Sequence, residues 1–212
     1  MPPLKQTLKY RAAIFRERHL QPFVFIHINK TGGSSVEKAL GARFEHKTAQ
    51  EKITMLGRNA WDRKFTFCIV RNPWDRAVSL FHYRKMTDQT GLADTEMGFQ
   101  TWLRQTLQDQ DPAFYDKPRM FMPQRDWIAD DNGQILVDYT MRFENLHRSF
   151  EEVARRLGKD VRLPHLKKSK RRDYRTYYDA ATIDLVAEFY AVDLEAFGYT
   201  FDGVSEASIS NA

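Results

Sequence analysis

The sequence predicts an α/β fold in which a central parallel sheet is flanked by helices in a single domain. Two short apolar runs, residues 23–28 and 65–70, are rich in β-branched and aromatic side chains, which is typical of strands buried on both faces. A loop and then apolar residues at helical spacing follow each run. Two successive strand–loop–helix units favour parallel strands, because parallel neighbours need a crossover connection between them.

The other elements follow from the same kind of pattern. Residues 1–22 form a basic lead-in that is compatible with a helix, residues 23–201 form the domain, and residues 202–212 form a tail. We expect residues 203–212 to fray, because they show no periodicity. Apolar spacing predicts helices over residues 34–40, 73–84, 99–107, 146–157 and 183–189, a strand over residues 135–141, and irregular connections over residues 85–98 and 109–133.

The composition restricts the class of protein. A chain of 212 residues with 42% hydrophobic and 29% charged residues suits one folded domain with its own core. No uncharged apolar stretch approaches the ~20 residues of a membrane-spanning helix, and no apolar run of a secretory signal follows the basic N-terminus. Cys68 is the single cysteine, which excludes an internal disulfide and favours a reducing, cytoplasmic location.

Positive charge is concentrated in one segment of the chain. Residues 155–175 carry ten lysines and arginines against two acidic residues, whereas the rest of the chain has a slight acidic excess. A basic patch on a nearly neutral body predicts an anionic ligand that is bound at one place.

The loop after the first strand has the residue types of an anion site. It reads Asn-Lys-Thr-Gly-Gly-Ser-Ser over residues 29–35. Two glycines allow the backbone to approach an anion closely, and the amides at the start of the next helix point towards it. Lysine adds a full charge and the hydroxyls add donors. The sequence therefore predicts a P-loop-like anion site formed by Lys30, Thr31, Gly32, Gly33, Ser34 and Ser35.

This loop differs from the Walker A motif of nucleotide triphosphatases. The lysine of that motif follows the second glycine, whereas Lys30 precedes both glycines. An acidic partner for Mg²⁺ is not evident either, and no group of potential ligands has the spacing of a metal site, so we predict no metal. Ser34 and Glu37 have the spacing of a capping box, which predicts that Glu37 closes one amide at the helix start.

A second candidate site follows the second strand. Asn72 is predicted to cap the next helix and Pro73 to occupy its first position. Arg71 then emerges at the carboxyl edge of the sheet, where open α/β folds bind ligands. An arginine with the Ser79 hydroxyl two helical turns away suits a phosphate, although Arg71 could instead pair with Asp75. With the first loop, this predicts a clamp for a nucleotide that has phosphates at both ends.

These motifs resemble those of sulfotransferases that use 3′-phosphoadenosine-5′-phosphosulfate (PAPS). Residues 25–35 are similar to the 5′-phosphosulfate loop of that family, and residues 67–79 to its 3′-phosphate motif. Further similarity to the branch that contains heparan sulfate 2-O-sulfotransferase is found in residues 142–146, 166–169, 189–190 and 194–199. The resemblance spans most of residues 23–201. Asn29 departs from it, because many relatives have proline at that position.

The resemblance implies a PAPS-dependent, metal-independent transfer of a sulfuryl group to an acceptor hydroxyl. The acceptor would be a carbohydrate, although a phenol or a small alcohol also fits, and we expect neither a nucleic acid nor a membrane as a partner. It also implies that Lys168, Ser169 and Arg172 lie in a loop that closes on the nucleotide. Relatives in this branch are Golgi enzymes with a membrane anchor. Because no anchor is found here, we expect a bacterial cytoplasmic enzyme.

The acceptor hydroxyl needs a base, for which histidine is the usual choice. His27 lies in the first buried strand and is predicted to be a core residue with a satisfied side chain. His46 lies between the two nucleotide motifs, where related enzymes carry a catalytic histidine, so His46 is our first choice and His82 our second.

Two rival functions remain open from the sequence alone. One is a P-loop kinase that acts on a small molecule and needs ATP with Mg²⁺. The other is a non-catalytic polyanion binder that uses the basic residues 155–175, with tyrosines 174, 177 and 178 nearby for stacking.

Overall fold

The computed structural model describes residues 4–164 and 171–205. Ten α-helices and five strands lie in those ranges. In chain order they are α1 (Leu4–His19), β1 (Phe23–Ile26), α2 (Gly33–Leu40), α3 (Ala49–Leu56), α4 (Arg58–Trp61), β2 (Phe65–Val70), α5 (Pro73–Met86), α6 (Phe99–Leu103), α7 (Gln124–Ile128), β3 (Tyr139–Arg142), α8 (Leu146–Arg156), α9 (Ala180–Phe189), α10 (Ala191–Phe197), β4 (Tyr199–Thr200) and β5 (Gly203–Val204).

The chain divides into two compact units. The first comprises Met1–Val70 and Asp126–Leu166, and the second comprises Arg71–Arg125 and Lys167–Ala212. The first unit holds a three-stranded sheet in the order β1-β2-β3, and both pairings are parallel. The α/β class and the parallel sheet flanked by helices are therefore confirmed.

β1 and β2 are buried on both faces, as their composition predicts, whereas β3 is half-buried except at Met141. Alternate side chains along β1, β2 and β3 form one hydrophobic cluster with apolar residues of α2 and α8. Side chains on the other face of the sheet, such as Ile26 and Cys68, are fully buried as well. The residues of the shared cluster are Phe23, Phe25, Val36, Leu40, Phe67, Ile69, Met141, Phe150, Val153, Ala154 and Leu163.

The second unit is mainly helical. Large side chains of α5 and α6, among them Trp74, Phe81 and Trp102, form a core with Val186 of α9 and with Tyr190. The predicted helix over residues 99–107 is present, although its second half, Arg104–Gln108, is wound as a π-helix. The strands β4 and β5 pair antiparallel, so residues 203 and 204 are ordered in a small hairpin, and the expectation that they fray is wrong.

Two predicted strands are shorter in the structure. β1 ends at Ile26, because the chain after it turns into the loop before α2. β3 begins at Tyr139 and not at residue 135. The Asp138 carboxylate accepts hydrogen bonds from both the amide and the hydroxyl of Thr66, which replaces part of the ladder at that point. Ile135 instead forms an isolated antiparallel bridge with Ala129.

None of the helices among the described residues is long and apolar enough to cross a membrane.

The start of α5 has the cap that the sequence predicts. The Asn72 side chain accepts hydrogen bonds from the amides of Trp74 and Asp75, and Pro73 occupies the first helical position. The Asn72 amide group also donates to the backbone oxygen of Thr200 at 2.9 Å, which ties the helix start to β4.

Replacement of Asn72 tests how much this cap contributes to the stability of the fold. We expect Asn72→Ala to lower the free energy of unfolding by about 1–2 kcal/mol, because two helix amides lose their acceptor. Asn72→Ser keeps an acceptor for the two helix amides but loses the hydrogen bond to Thr200, so it should recover part of that loss. Urea unfolding of both variants measures the difference, and an Ala variant as stable as the wild type would contradict the assignment.

Candidate functional site

The loop between β1 and α2 ends at a helix start that no side chain caps among the described residues. Gly32 is the N-cap residue, with a φ of 88° in the left-handed region, and α2 begins at Gly33. The backbone amides at this end of the helix carry the positive end of the helix dipole. Such an arrangement suits an anion at the N-terminus of α2.

Lys30 lies in the same loop with an unusual backbone conformation. Its φ is 63°, in the left-handed region that residues other than glycine rarely adopt. Such a conformation costs about 1–3 kcal/mol and persists only where the surrounding structure holds it. Strained residues of this kind concentrate at ligand-binding sites.

Beneath the loop, the ring of His27 lies directly against Gly33. A Cβ atom on Gly33 would lie 2.2 Å from His27 Cδ2, so only glycine fits at this position. His27 Nδ1 donates to Glu37 Oε1 at 2.8 Å, and both side chains are buried. His27 is thus the satisfied core residue that the sequence predicts. The prediction of a capping box between Ser34 and Glu37 is wrong, because Glu37 binds the His27 ring and not the helix amides.

The hydroxyl residues of the loop differ in their surroundings. Thr31 is fully buried, and its Oγ1 donates to the backbone oxygen of Ile28 at 2.8 Å, which stabilises the turn. Ser34 is exposed at the helix start, whereas Ser35 is buried. Contact of Thr31, Ser34 and Ser35 with a ligand stays a prediction.

His46 lies next to the same loop, in the segment between α2 and α3. Its Nδ1 lies 2.8 Å from the backbone oxygen of His27, and the two imidazole rings are 4.5 Å apart. A carbonyl oxygen can only accept a hydrogen bond, so Nδ1 carries the proton. In the neutral form of this ring the lone pair is therefore on Nε2, so Nε2 is the nitrogen that can accept a proton.

Arg71, the first residue after β2, begins the second unit. Its guanidinium binds Asp75 Oδ2 through Nε at 2.7 Å and through Nη2 at 2.6 Å. The backbone of Arg71 is held by Gln124, whose side chain accepts from the Arg71 amide and donates to its carbonyl, both at 2.8 Å. Gln124 in turn donates to the buried carboxylate of Asp193. Burial raises the pKa of Asp193.

Asp75 also contacts a residue of the basic segment. Its other carboxylate oxygen, Oδ1, binds Arg171 Nη2, so one carboxylate holds two arginines. Arg172 stacks on the ring of Tyr177, with 5.6 Å between the guanidinium carbon and the ring centre. Lys168 and Ser169 lie outside the described residues, and their roles stay predictions.

Ser79 and His82 lie on α5 in the second unit. Ser79 is half-buried. His82 Nε2 lies 2.9 Å from the hydroxyl of Tyr177. Burial, helped by the nearby positive charges of Arg171 and Lys85, lowers the pKa of His82.

The structure thus brings the residues of the first loop together with His27 and His46 inside the first unit, whereas Arg71, Ser79, His82 and Arg172 belong to the second. Sequence reasoning missed Gln124 and Asp193, and it placed Arg171 in the basic segment without its partner Asp75, because these contacts join residues that are distant in the chain. No group of three potential metal ligands is found in the part of the chain that the structure describes.

Comparison with known proteins indicates the family of this chain. The model of the sulfotransferase family matches residues 12–200. An uncharacterized protein of Archaeoglobus fulgidus is 27% identical over 104 residues, which cover 49% of this chain and 75% of that protein.

The contact between Gly33 and His27 can be tested by replacing the glycine with alanine, which adds a single methyl group. We expect Gly33→Ala to lower the free energy of unfolding by about 1–3 kcal/mol, because its Cβ overlaps the buried His27 ring. Gly98→Ala is the matched control, since nothing lies within 4 Å of its Cβ position and its φ is ordinary. Urea unfolding compares the two, and equal losses would contradict the close approach.

Proposed function

Because the chain belongs to the sulfotransferase family, we propose that it transfers the sulfuryl group of PAPS to an acceptor hydroxyl. The acceptor oxygen forms a bond to sulfur while the bond from sulfur to the 5′-phosphate oxygen breaks, and adenosine 3′,5′-bisphosphate leaves. The observation that carries this proposal is the loop before α2, where Lys30, the helix amides and His46 lie together in one unit.

Lys30 and the start of α2 would bind the phosphosulfate. Negative charge builds on the leaving phosphate oxygen and on the sulfuryl oxygens as the S–O bond breaks. The amides of Gly33 and Ser34 are fixed donors for that charge, and the Lys30 ammonium adds a full positive charge. A preorganised donor favours the transition state over the ground state. In this proposal the loop is P-loop-like in its function, with the lysine placed before the glycines.

The motif after β2 would bind the 3′-phosphate. The backbone of Arg71 is fixed by Gln124, and its guanidinium is oriented by Asp75, which binds Nε and Nη2. A guanidinium suits a phosphate because it offers two parallel donors. Ser79 supplies a hydroxyl, and we assign Lys168, Ser169 and Arg172 to the loop that covers the nucleotide.

His46 would act as the general base. Its Nδ1 proton is held by the His27 carbonyl, so Nε2 accepts the proton of the acceptor hydroxyl as the new O–S bond forms. We propose a carbohydrate as the acceptor.

Ligand-induced stabilisation tests the nucleotide class. We expect adenosine 3′,5′-bisphosphate to raise the Tm of the protein in the presence of chelator, because a ligand that binds only the folded state stabilises it. ATP with Mg²⁺ should raise it less, and heparin should not reproduce the effect. Stabilisation by ATP with Mg²⁺ alone would favour a kinase, and stabilisation by heparin alone would favour a polyanion binder.

The role of Lys30 is tested by measuring the transfer of labelled sulfate from PAPS to methyl pyranosides. We expect Lys30→Ala to lower the rate of sulfuryl transfer by about 10²–10³-fold, because it removes a preorganised cation. Alanine keeps a Cβ and therefore the backbone strain of the loop, so the comparison isolates the amine. Lys30→Arg is the control that keeps the charge.

The base is tested by comparing two histidines. We expect His46→Ala to lower kcat by about 10²–10⁴-fold, because the acceptor hydroxyl loses the group that takes its proton. His82→Ala should leave kcat within a few-fold, because His82 binds Tyr177 in the second unit. Transfer of labelled sulfate from PAPS to methyl pyranosides measures both, and equal mild losses would exclude His46 as the base.

A further inference from the structure

Phe44 is an exposed aromatic residue in contact with two histidines. Its side chain is 63% exposed. The Phe44 ring centre lies 5.1 Å from that of His46, at an interplanar angle of 75°. It lies 5.5 Å from the ring centre of His27, at 85°. Both distances are typical of edge-to-face aromatic contacts, so the ring has a defined position at the surface.

The neighbours of Phe44 explain why this ring faces solvent. Arg43 lies over the ring of Tyr10 in α1, with 4.5 Å between the guanidinium carbon and the ring centre. Glu45 binds the Lys52 ammonium, which is buried in α3. These contacts direct both side chains towards α1 and α3, whereas Phe44 contacts His46 on the other side of the segment.

Lys52 is the centre of this arrangement. It binds Glu17 of α1 as well as Glu45, and all three side chains are largely buried. Removal of either carboxylate would leave a buried charge uncompensated, so Glu45 is tied to α3 and α1 through Lys52. The fold thus keeps Phe44 and His46 side by side without burying the phenylalanine.

A single exposed apolar side chain is ordinary, and Phe15 of α1 is an example at 58% exposure. Phe44 differs in its location. It contacts the histidine that we propose as the base, and it also contacts the histidine that packs under the loop of Lys30. An exposed aromatic ring at that point is available to a molecule that approaches the base.

We propose that Phe44 binds the acceptor by stacking against the apolar C–H face of a pyranose ring. This inference rests on the proposed function, because it places the reacting hydroxyl beside His46. A pyranose has hydroxyls around its rim, and a base must come within ~2.6–3.2 Å of the hydroxyl that it deprotonates. A sugar stacked on the exposed part of the Phe44 ring has its rim hydroxyls near His46, whose ring centre lies 5.1 Å from that of Phe44. Phe44 is therefore a residue that selects pyranosides as acceptors.

Saturation-transfer NMR tests the stacking directly. The probes are methyl β-glucopyranoside, methyl β-galactopyranoside and 2-naphthol, each with the wild type in the presence of adenosine 3′,5′-bisphosphate. We expect saturation of the ring C–H protons on one face of a pyranoside. Phe44→Ala should raise the dissociation constant of the pyranoside about tenfold, and Phe44→Trp should keep that constant within about threefold of the wild-type value. Phe15→Ala is the matched control and should leave it unchanged.

Each outcome decides the inference. Absence of saturation for both pyranosides, the same affinity in Phe44→Ala as in the wild type, or a preference for 2-naphthol would overturn it. The binding of the bisphosphate is measured on the same samples. A protein that binds pyranosides through Phe44 but does not bind the bisphosphate would contradict the proposed function and leave the sugar site in place. The unfolding midpoint of each variant checks that it is folded.

Discussion

The contact between the His27 ring and Gly33 is the constraint on which the rest of the candidate site depends. Because Gly33 has no side chain, the start of α2 lies directly against the ring of His27, the residue that follows β1. Glu37 holds the ring in place from the next turn of the helix, and the backbone oxygen of His27 holds His46. One buried residue thus fixes the helix start, the loop of Lys30 and the proposed base together.

In the second unit, buried polar side chains hold Arg71 in place in a comparable way. Gln124 forms hydrogen bonds with both backbone groups of Arg71, and Asp193 holds Gln124. Asp75 then orients the guanidinium. Buried polar groups form such networks because an unsatisfied donor or acceptor in the interior costs about 1–3 kcal/mol. The result is an arginine with a fixed backbone and a fixed side chain at the end of a strand.

The sequence was most informative where short-range patterns determine the structure. The strand over residues 65–70, the cap of α5 and the helical stripe that begins at Leu146 need only local spacing, and all are present. The capping box at Ser34 failed because a distant histidine competes for Glu37, and residues 10 positions apart give no local signal. Gln124 and the outward position of Phe44 were missed for the same reason, since both depend on contacts formed only after folding.

The left-handed backbone of Lys30 has a consequence for how this loop would work. A glycine at that position would adopt the same φ without strain, so the chain is less stable with lysine than it could be. The loss occurs once, during folding, at a backbone position that the surrounding structure holds. A ligand that arrives later meets the backbone of Lys30 already in this conformation, so the entropy of fixing that torsion does not subtract from its affinity.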